Sequence, residues 1–363
     1  MKLKEIINYL QEWAPLNLQE GYDNSGLIVG QDSMEVNGAL VCLDSTEEVI
    51  DEAIENGINL VIAHHPIVFK GLKRFNGKDY VERVVMKAIK HDIALYAIHT
   101  NLDNVFSGVN GMISDRLGLQ NLRVLAPKSD TLMKYRVYVP QTHIQQVSDA
   151  VLSVAGKIGD YEECSFQWEG TGTYKALDGA NPFSGEIGKR HREKEIAVEA
   201  VVNAWQVGSL LSAVGQAHPY EEVAYDLWPV SQKNKEVGAG MVGELESPMT
   251  PEAFFDELKS QLGVHVVRHT QLLSDSVKRI AVCGGSGSFL LGAAKGANAD
   301  VFVTADFKYH QFFDAENDIV IADIGHYESE HHVMQWIQAK LNQKFANFAV
   351  RLTEKNTNPV LYY

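Results

Sequence analysis

Short apolar segments that alternate with helical segments constrain the fold more than any other feature of this sequence. The buried-strand candidates are residues 39–43, 59–63, 93–98, 279–283, 300–304 and 319–323. Helices of about ten residues are predicted between them. Strands interleaved with such helices are typical of βαβ units, whose crossover connections produce a largely parallel sheet with both faces covered. The sequence therefore predicts an α/β fold.

A different order of elements interrupts this alternation between residues 128 and 234. The sequence there predicts strand, helix, two strands, helix and strand, with a hairpin over 161–174 that turns at 169–172. The order βαββαβ is typical of a ferredoxin-like α+β domain. Insertions of this kind occur at surface loops, where chain ends lie close together. We therefore expect one discontinuous, mainly parallel-sheet α/β domain, residues 1–127 and 235–363, with an inserted α+β domain at 128–234.

Charge and composition restrict the classes of function. The chain has 363 residues with 32 basic and 47 acidic side chains, and its formal net charge of -15 disfavours nucleic acid as a partner. Its three cysteines form neither a disulfide framework nor a CxxC metal site. No apolar run approaches the roughly 18 residues of a membrane span, and the first 13 residues resemble an amphipathic helix rather than a signal peptide. We expect a cytoplasmic protein with no membrane partner.

Potential metal ligands follow three of the predicted strands. They are His64 and His65 after the second strand, Asp103 after the third, and His326 and Glu330 after the sixth. Ligands bind outside the carboxyl ends of strands in open α/β sheets, so we predict that these side chains meet at one edge of one sheet. His326 and Glu330 are four residues apart on a predicted helix and can reach the same ion from one helical face.

This donor set suits two divalent first-row ions about 3.5–4 Å apart, with one carboxylate bridging them. Because no thiolate is available, the candidates are Zn, Fe, Mn, Ni or Co rather than a structural zinc. The alternative for each residue taken alone is a structural or solvated side chain. Their joint placement at strand ends favours the metal centre. The sequence assigns no catalytic residue beyond these ligands.

Four segments together resemble one known family. They are GYDNSGLIVG at 21–30, AHHP at 63–66, HTNLDN at 99–104 and GHYESE at 325–330. This combination is similar to the NGG-interacting-factor-three-like family of dinuclear metal proteins, whose members are often labelled GTP cyclohydrolase I type 2 homologs. Three further segments resemble the extra domain of the longer bacterial members, which is similar in fold to PII and CutA proteins. They are EGTGTY at 169–174, LDGANPF at 177–183 and HPYEEVAYD at 218–226.

The resemblance implies both a ligand set and an activity. The family's metal ligands fall on His64, His65, Asp103, His326 and Glu330. The family also implies a ring-shaped homohexamer with metal sites that face an internal cavity. The chemistry of two ions that share a water predicts a metal-dependent hydrolase of a small nucleotide-like or phosphorylated substrate, and the family label suggests GTP ring opening. The alternative is a non-catalytic hexameric metal-binding scaffold or regulator, with the PII-like domain as sensor or lid.

Other polar residues near the strand ends allow two interpretations. Asp306 and His310 either support the metal ligands, act as a base on metal-bound water, or are a helix cap and a surface histidine. Glu328 is expected to be a solvated acid in the first turn of its helix. His99 either supports the ligands or is a satisfied buried histidine, and the second interpretation is favoured.

Three further motifs remain open. The GGSGS segment at 284–288 either cradles a phosphate at a helix N-terminus or forms a tight turn. The HPYEE segment at 218–222 either binds a small ligand or metal or is a rigid turn used in subunit packing. His331 and His332 are expected to point to other helical faces, away from the ligands.

Overall fold

The computed structural model describes residues 1–363, which form two compact units. The first unit comprises Met1–Pro127 and Glu236–Tyr363, and the second comprises Lys128–Lys235. The two parts of the first unit are joined within one sheet, where Pro127 pairs with Gly238. No helix has both the length and the apolar character that crossing a membrane requires.

Helices and strands alternate along most of the chain. The helices are α1 (Leu3–Trp13), α2 (Glu47–Glu55), α3 (Tyr80–Lys90), α4 (Thr100–Asp103), α5 (Val109–Arg116), α6 (Ile144–Leu152), α7 (Val207–Ala217), α8 (Pro251–Leu262), α9 (Leu291–Gly296), α10 (His326–Glu330) and α11 (Val333–Lys344). The strands are β1 (Gly26–Val29), β2 (Gly38–Cys42), β3 (Leu60–Ala63), β4 (Ala94–Ala97), β5 (Gln120–Pro127), β6 (Leu132–Pro140), β7 (Phe166–Lys175), β8 (Arg190–Asn203), β9 (Tyr225–Pro229), β10 (Gly238–Met249), β11 (Arg268–His269), β12 (Val277–Ser286), β13 (Val301–Ala305), β14 (Val320–Asp323) and β15 (Ala349–Leu352).

The first sheet of the larger unit has the strand order β1-β4-β3-β2-β15. Strands β15, β2, β3 and β4 are parallel, and β1 pairs antiparallel with β4 at the edge. Every residue of β2, β3 and β4 is buried, as expected for apolar strands of a sheet that is covered on both faces. The α/β fold predicted from the sequence is confirmed.

A second sheet of the same unit has the order β11-β14-β13-β12-β10-β5. Its centre, β12, β13 and β14, is parallel, while β10 pairs antiparallel with both β12 and β5. The prediction that all candidate ligands meet at the edge of one sheet is therefore wrong. His64, His65 and Asp103 follow strands of the first sheet, whereas His326 and Glu330 follow β14 of the second. Periodicity shows how deeply a strand is buried but does not show which sheet it joins.

One hydrophobic cluster holds the larger unit together. Ile62 and Tyr96 of the first sheet and Val282 and Val303 of the second belong to this same buried cluster. Leu10 of α1 joins it through an amphipathic face that is buried at every third or fourth residue. The shared core fixes the first sheet against the second, and with them the loops that follow β3, β4 and β14.

The smaller unit is a four-stranded antiparallel sheet with the order β7-β8-β6-β9. Helices α6 and α7 cover one face, where Tyr135, Val137 and Val139 of β6 alternate as buried residues. This element order and strand arrangement confirm the predicted ferredoxin-like α+β fold.

The predicted hairpin at 161–174 is wrong. Strand β7 runs without a turn from Phe166 to Lys175 and pairs with β8 along its whole length. Gly170 and Gly172, whose presence suggested a turn, are not among the glycines with positive φ. They pair with Glu195 and Glu193 as ordinary strand residues. Glycine also occurs inside strands where another group approaches the backbone closely. The sequence alone does not distinguish such a glycine from one in a turn.

Candidate metal centre

The predicted ligands come together where the loops after β3, β4 and β14 meet. His64 and His65 directly follow β3, and their backbone N–H groups donate to the carbonyls of Cys42 and Leu43, which holds this segment beside the end of β2. Asp103 is the last residue of the short helix α4 after β4. Gly325, with φ of 92°, turns the chain after β14 and places His326 at the first position of α10.

Three of the five side chains form a first donor group. The Nε2 atoms of His65 and His326 each lie 3.0 Å from Oε2 of Glu330. The two Nε2 atoms are 3.3 Å apart. Ligand atoms in a tetrahedron around an ion at about 2.0–2.2 Å are about 3.3–3.6 Å apart. The observed spacing is therefore close to that of three ligands of one small divalent ion.

The other oxygen of Glu330 faces a second donor group. Nε2 of His64 lies 3.9 Å from Oε1 of Glu330 and 3.7 Å from Oδ1 of Asp103. The His64 ring is fully buried, and neither His64 Nε2 nor Asp103 Oδ1 has a hydrogen-bond partner. Buried polar atoms without a partner are costly, so an unpaired nitrogen and oxygen that face each other need an explanation. A cation held by His64, Asp103 and Glu330 would explain these two unpaired atoms. The side chains of both donor groups could hold a divalent metal ion.

Each ligand histidine is fixed through its Nδ1 atom. His64 Nδ1–H donates to the carbonyl of Ile98 over 2.8 Å. Because a carbonyl only accepts, His64 must carry its proton on Nδ1, which leaves the Nε2 lone pair for an ion. Nδ1 of His65 lies 2.8 Å from Asp44, and Nδ1 of His326 lies 2.7 Å from Asp306. Such outer partners orient metal-binding imidazoles and raise their basicity.

The electrostatics of the two donor groups depend on Glu330. Burial by itself would raise the pKa of the Glu330 carboxyl, but the charge and hydrogen bonds of the surrounding imidazoles hold that pKa well below its usual range. In return the charge of Glu330 raises the pKa of His326 to about 11. Burial lowers the pKa of His65, but hydrogen bonds to Asp44 and Glu330 outweigh it and raise the pKa to about 9. Protons and metal ions therefore compete for these two nitrogens.

His99 lies closer to the centre than the sequence suggested. Its Nδ1 is 2.8 Å from Oδ1 of Asp23, so it is a satisfied histidine, as expected. Its ring is also 5.3 Å from the rings of both His64 and His65, and it belongs with them to a third cluster of possible donors. Burial would raise the pKa of Asp23, but the hydrogen bond and charge of His99, together with hydrogen bonds from Thr100 and Ser25, hold that pKa below its usual range.

The sequence indicated only some of the residues that support the candidate ligands. For Asp306 the sequence leaves a supporting role and a helix cap open, and the 2.7 Å contact between Oδ2 of Asp306 and Nδ1 of His326 favours the supporting role. The sequence analysis did not identify Asp44 or Asp23 as supporting residues. Asp44 directly follows the apolar run 39–43, and a carboxylate at the end of a predicted strand is a signal that could have identified it. Glu328 was expected to be solvated, and this is wrong: it is buried and accepts from the side-chain amide of Asn358 at 3.2 Å. The hydrogen bond spans 30 residues, so no local pattern indicates it.

The remaining candidates do not reach the donor atoms. His310 packs against the ring of Tyr309, at 5.2 Å between centroids. His331 stacks on Tyr327 at 5.0 Å and bonds to its carbonyl, and His332 lies against His331. None of these three histidines belongs to the groups of side chains that could hold a metal ion.

The glycine-rich segment at 284–288 begins in the last residues of β12 and packs closely against Glu330. Gly285 has φ of 60°, and a Cβ on it would lie 2.3 Å from Oε1 of Glu330. The N–H groups of Gly284 and Gly285 already donate to Asn110 and Ser329. Those two amides are not available to a phosphate, which favours the tight-turn interpretation. Glycine is required here so that the backbone can approach the Glu330 carboxylate.

A cavity of about 690 Å³ opens onto the donor groups. His65, Asp103, His326 and Glu330 line it together with aromatic residues at its mouth. The exposed aromatic residues in this lining are Tyr22, Phe69, Tyr80 and Phe289.

Comparison with known proteins shows the family to which this chain belongs. Residues 1–359 match the family described as Duf34/NIF3 (NGG1p interacting factor 3). The chain belongs to the DUF34/NIF3 family. Among curated NIF3 family members, a protein of Bacillus subtilis named "GTP cyclohydrolase 1 type 2 homolog" is 38% identical over 366 residues, covering 99% of this chain and 98% of that protein. A protein of the same name from Halalkalibacterium halodurans is 39% identical and covers 93% of this chain and 91% of its own length.

Solved structures of NIF3 relatives share the whole architecture. A Bacillus cereus protein related to NIF3 superposes with a TM-score of 0.87 at 37% identity, covering 100% of this chain and 99% of that one. A Staphylococcus aureus protein superposes with a TM-score of 0.77 at 32% identity, with coverage of 100% and 99%. The family predicted from the sequence motifs is thus confirmed, and so is the presence of side-chain groups that could hold metal in this NIF3 member.

Proposed function

We propose that this protein is a dinuclear metal-dependent hydrolase of a small nucleotide-like or phosphorylated substrate. The observation that carries the proposal is the position of Glu330, whose two oxygens face two separate groups of buried donors. His65 and His326 would hold one divalent ion with Glu330, and His64 and Asp103 would hold the other. A carboxylate can bridge because each of its oxygens offers lone pairs, whereas a neutral imidazole offers one nitrogen to one ion.

The protein's own residues prepare the site for chemistry on an anionic substrate. Two divalent ions supply Lewis acidity and an activated water when they are bound in this manner. Two divalent ions carry four positive charges, and the carboxylates of Asp103 and Glu330 neutralise two of them. The remaining positive charge favours binding of an anion. Asp44 and Asp306 keep the His65 and His326 rings in one orientation, which preserves the spacing of the donors.

The mouth of the cavity supports a substrate that carries a planar ring. Tyr22 and Phe289 are each 69% exposed, and Phe69 and Tyr80 are also exposed although they line the cavity. Large aromatic side chains around a cavity that holds polar groups at its base offer stacking surfaces for a flat group. Lys70 in the same lining offers a positive charge to a phosphate or another anionic group.

The proposed assembly is a ring-shaped homohexamer, as the family resemblance implied. The first unit carries apolar surface suited to a subunit contact, since Tyr309 and Phe313 are 73% and 65% exposed and lie 5.6 Å apart. Light scattering coupled to gel filtration measures the mass directly. A monomer at micromolar concentration would contradict this part of the proposal.

Metal content and turnover together test the function. The purified protein is stripped, reloaded with Zn²⁺, Mn²⁺, Fe²⁺, Co²⁺ or Ni²⁺ and assayed with GTP, other nucleotides and phosphoesters. We expect two ions per chain and turnover that His65→Ala abolishes. Two bound ions without turnover of any compound would contradict the hydrolase and favour the scaffold or regulator. Fewer than two ions in the reloaded wild type would contradict the dinuclear centre.

A further inference from the structure

Three motifs of the second unit that the metal centre does not use line a single cavity. This cavity has a volume of about 770 Å³, within the usual range for small-molecule sites. The EGTGTY segment contributes Gly170, Gly172 and Tyr174 to its lining. The loop LDGANPF and the turn HPYEE contribute Phe183 and Tyr220 respectively. Because all three motifs contribute to this cavity, a ligand site in the second unit would explain why the sequence contains them.

Glycines of β7 form the floor of this cavity. Gly170 pairs with Glu195 on β8, and a Cβ on Gly170 would meet nothing within 4 Å. At Gly172 a Cβ would lie 2.0 Å from a carboxylate oxygen of Glu195. Glycine inside a strand weakens the strand and marks a place where another group approaches closely. The floor is therefore kept free of side chains, and the Glu195 carboxylate lies across it.

The walls are aromatic. The ring of Tyr220 lies 6.2 Å from Tyr174 and 6.0 Å from Phe183, and Trp168 lines the same space. Such ring surfaces bind apolar or flat groups and attract cations to their faces.

Charge decides the class of ligand. Glu195, Glu221 and Glu222 line the cavity, and Lys175 is the cationic residue among the lining side chains. Oε1 of Glu195 accepts a hydrogen bond from the Tyr220 hydroxyl over 3.0 Å, so its hydrogen-bond partner is a neutral group rather than a cation. Burial, reinforced by the charge of Glu195, raises the pKa of Tyr220, which keeps the phenol protonated as this donor. The excess of negative charge repels phosphates and carboxylates.

A metal ion does not fit the same space. The groups of side chains that could hold a metal ion all lie at the centre in the first unit. Glu195, Glu221 and Glu222 form none of these groups, whereas the aromatic walls suit a ligand with a hydrocarbon body.

We propose that this cavity binds a small organic cation, whose ammonium or guanidinium group pairs with Glu195 and whose apolar or aromatic body lies against Trp168 and Tyr220. The site is separate from the proposed function, because no residue of the metal centre lines it. Its occupant is chemically opposite to the anionic substrate proposed for that centre.

Isothermal titration calorimetry of the full-length protein with tryptamine tests the proposal. Tryptamine carries an ammonium on an indole body, and indole-3-propionate is a matched anion of similar size. We expect tryptamine to bind and indole-3-propionate not to bind. Glu195→Gln keeps the shape but removes the charge, and it should lower tryptamine affinity about 10- to 100-fold, as expected for loss of a hydrogen bond to a charged group.

Glu169→Gln is the matched control, because Glu169 is an exposed acid on β7 outside the cavity lining. It should leave tryptamine affinity unchanged. Tyr220→Phe, which removes the hydroxyl but keeps the ring, should change affinity less than Glu195→Gln and reports on the site if that variant folds poorly. No binding of tryptamine by the wild type, equal binding of the two indoles, or equal losses in Glu169→Gln and Glu195→Gln would each overturn the proposal.

Discussion

Glu330 is the side chain on which both halves of the proposed metal centre depend. Its Oε2 lies 3.0 Å from Nε2 of both His65 and His326, and its Oε1 lies 3.9 Å from Nε2 of His64. Glu330→Gln preserves the size of the side chain. It replaces one oxygen by an NH₂ group that has no lone pair for an ion, and it removes the negative charge.

The size of the effect follows from this geometry. Loss of a residue that only supports a metal ligand typically costs about 10- to 100-fold in metal affinity. Glu330 contributes an oxygen to each donor group, and it is one of two carboxylates among the five proposed ligands. We therefore expect metal affinity to fall more than about 100-fold at both positions, so that neither ion survives gel filtration in metal-free buffer.

Elemental analysis of the reloaded, gel-filtered protein measures this loss. Glu328→Gln is the matched control, since Glu328 is buried on the same helix but bonds to Asn358 and belongs to neither donor group. Wild type and Glu328→Gln should retain two ions per chain, while Glu330→Gln retains none. Full occupancy in Glu330→Gln would refute the bridging assignment. Equal loss from Glu328→Gln would show that a different set of ligands is used.

Three further predictions address packing, domain organisation and pH. Gly285→Ala should displace Glu330 and lower metal content, because its Cβ would lie 2.3 Å from Oε1 at a φ of 60°; elemental analysis that finds two ions would contradict this. Excision of residues 129–232 should leave a folded, metal-binding first unit, since all five ligands lie outside it and Pro127 pairs with Gly238; circular dichroism and metal analysis check both points. Lys134 and Arg136 outweigh the effect of burial and lower the pKa of Glu199, so the stability that Glu199 contributes is present above its unfolded pKa of about 4.5 and is lost as pH falls through the lower folded value. Urea unfolding between pH 3 and 6 should show a steeper loss in wild type than in Glu199→Gln.

The sequence by itself determined the elements and the chemistry of the ligands. Short apolar runs such as 60–63 and 94–97 favour buried strands, and the structure has β3 and β4 there. The spacing of His326 and Glu330 was sufficient to place both on one helix, because the helical repeat is a local property. The family motifs follow from the same local order of residues.

Only the tertiary structure determined which of the candidate ligands lie together in each donor group. His65 follows β3 of the first sheet, and Glu330 ends helix α10, which follows β14 of the second sheet. The two residues are 265 positions apart in the chain, yet Nε2 of His65 and Oε2 of Glu330 are 3.0 Å apart. Which oxygen of Glu330 faces which histidine depends on how the two sheets pack around their common core, and no local pattern records that packing. The same reason explains the buried Glu328 and the missed contact of Asp44 with His65. Hydrogen bonds between distant segments are fixed by the burial of neighbouring apolar surface, which is a property of the whole unit rather than of any segment.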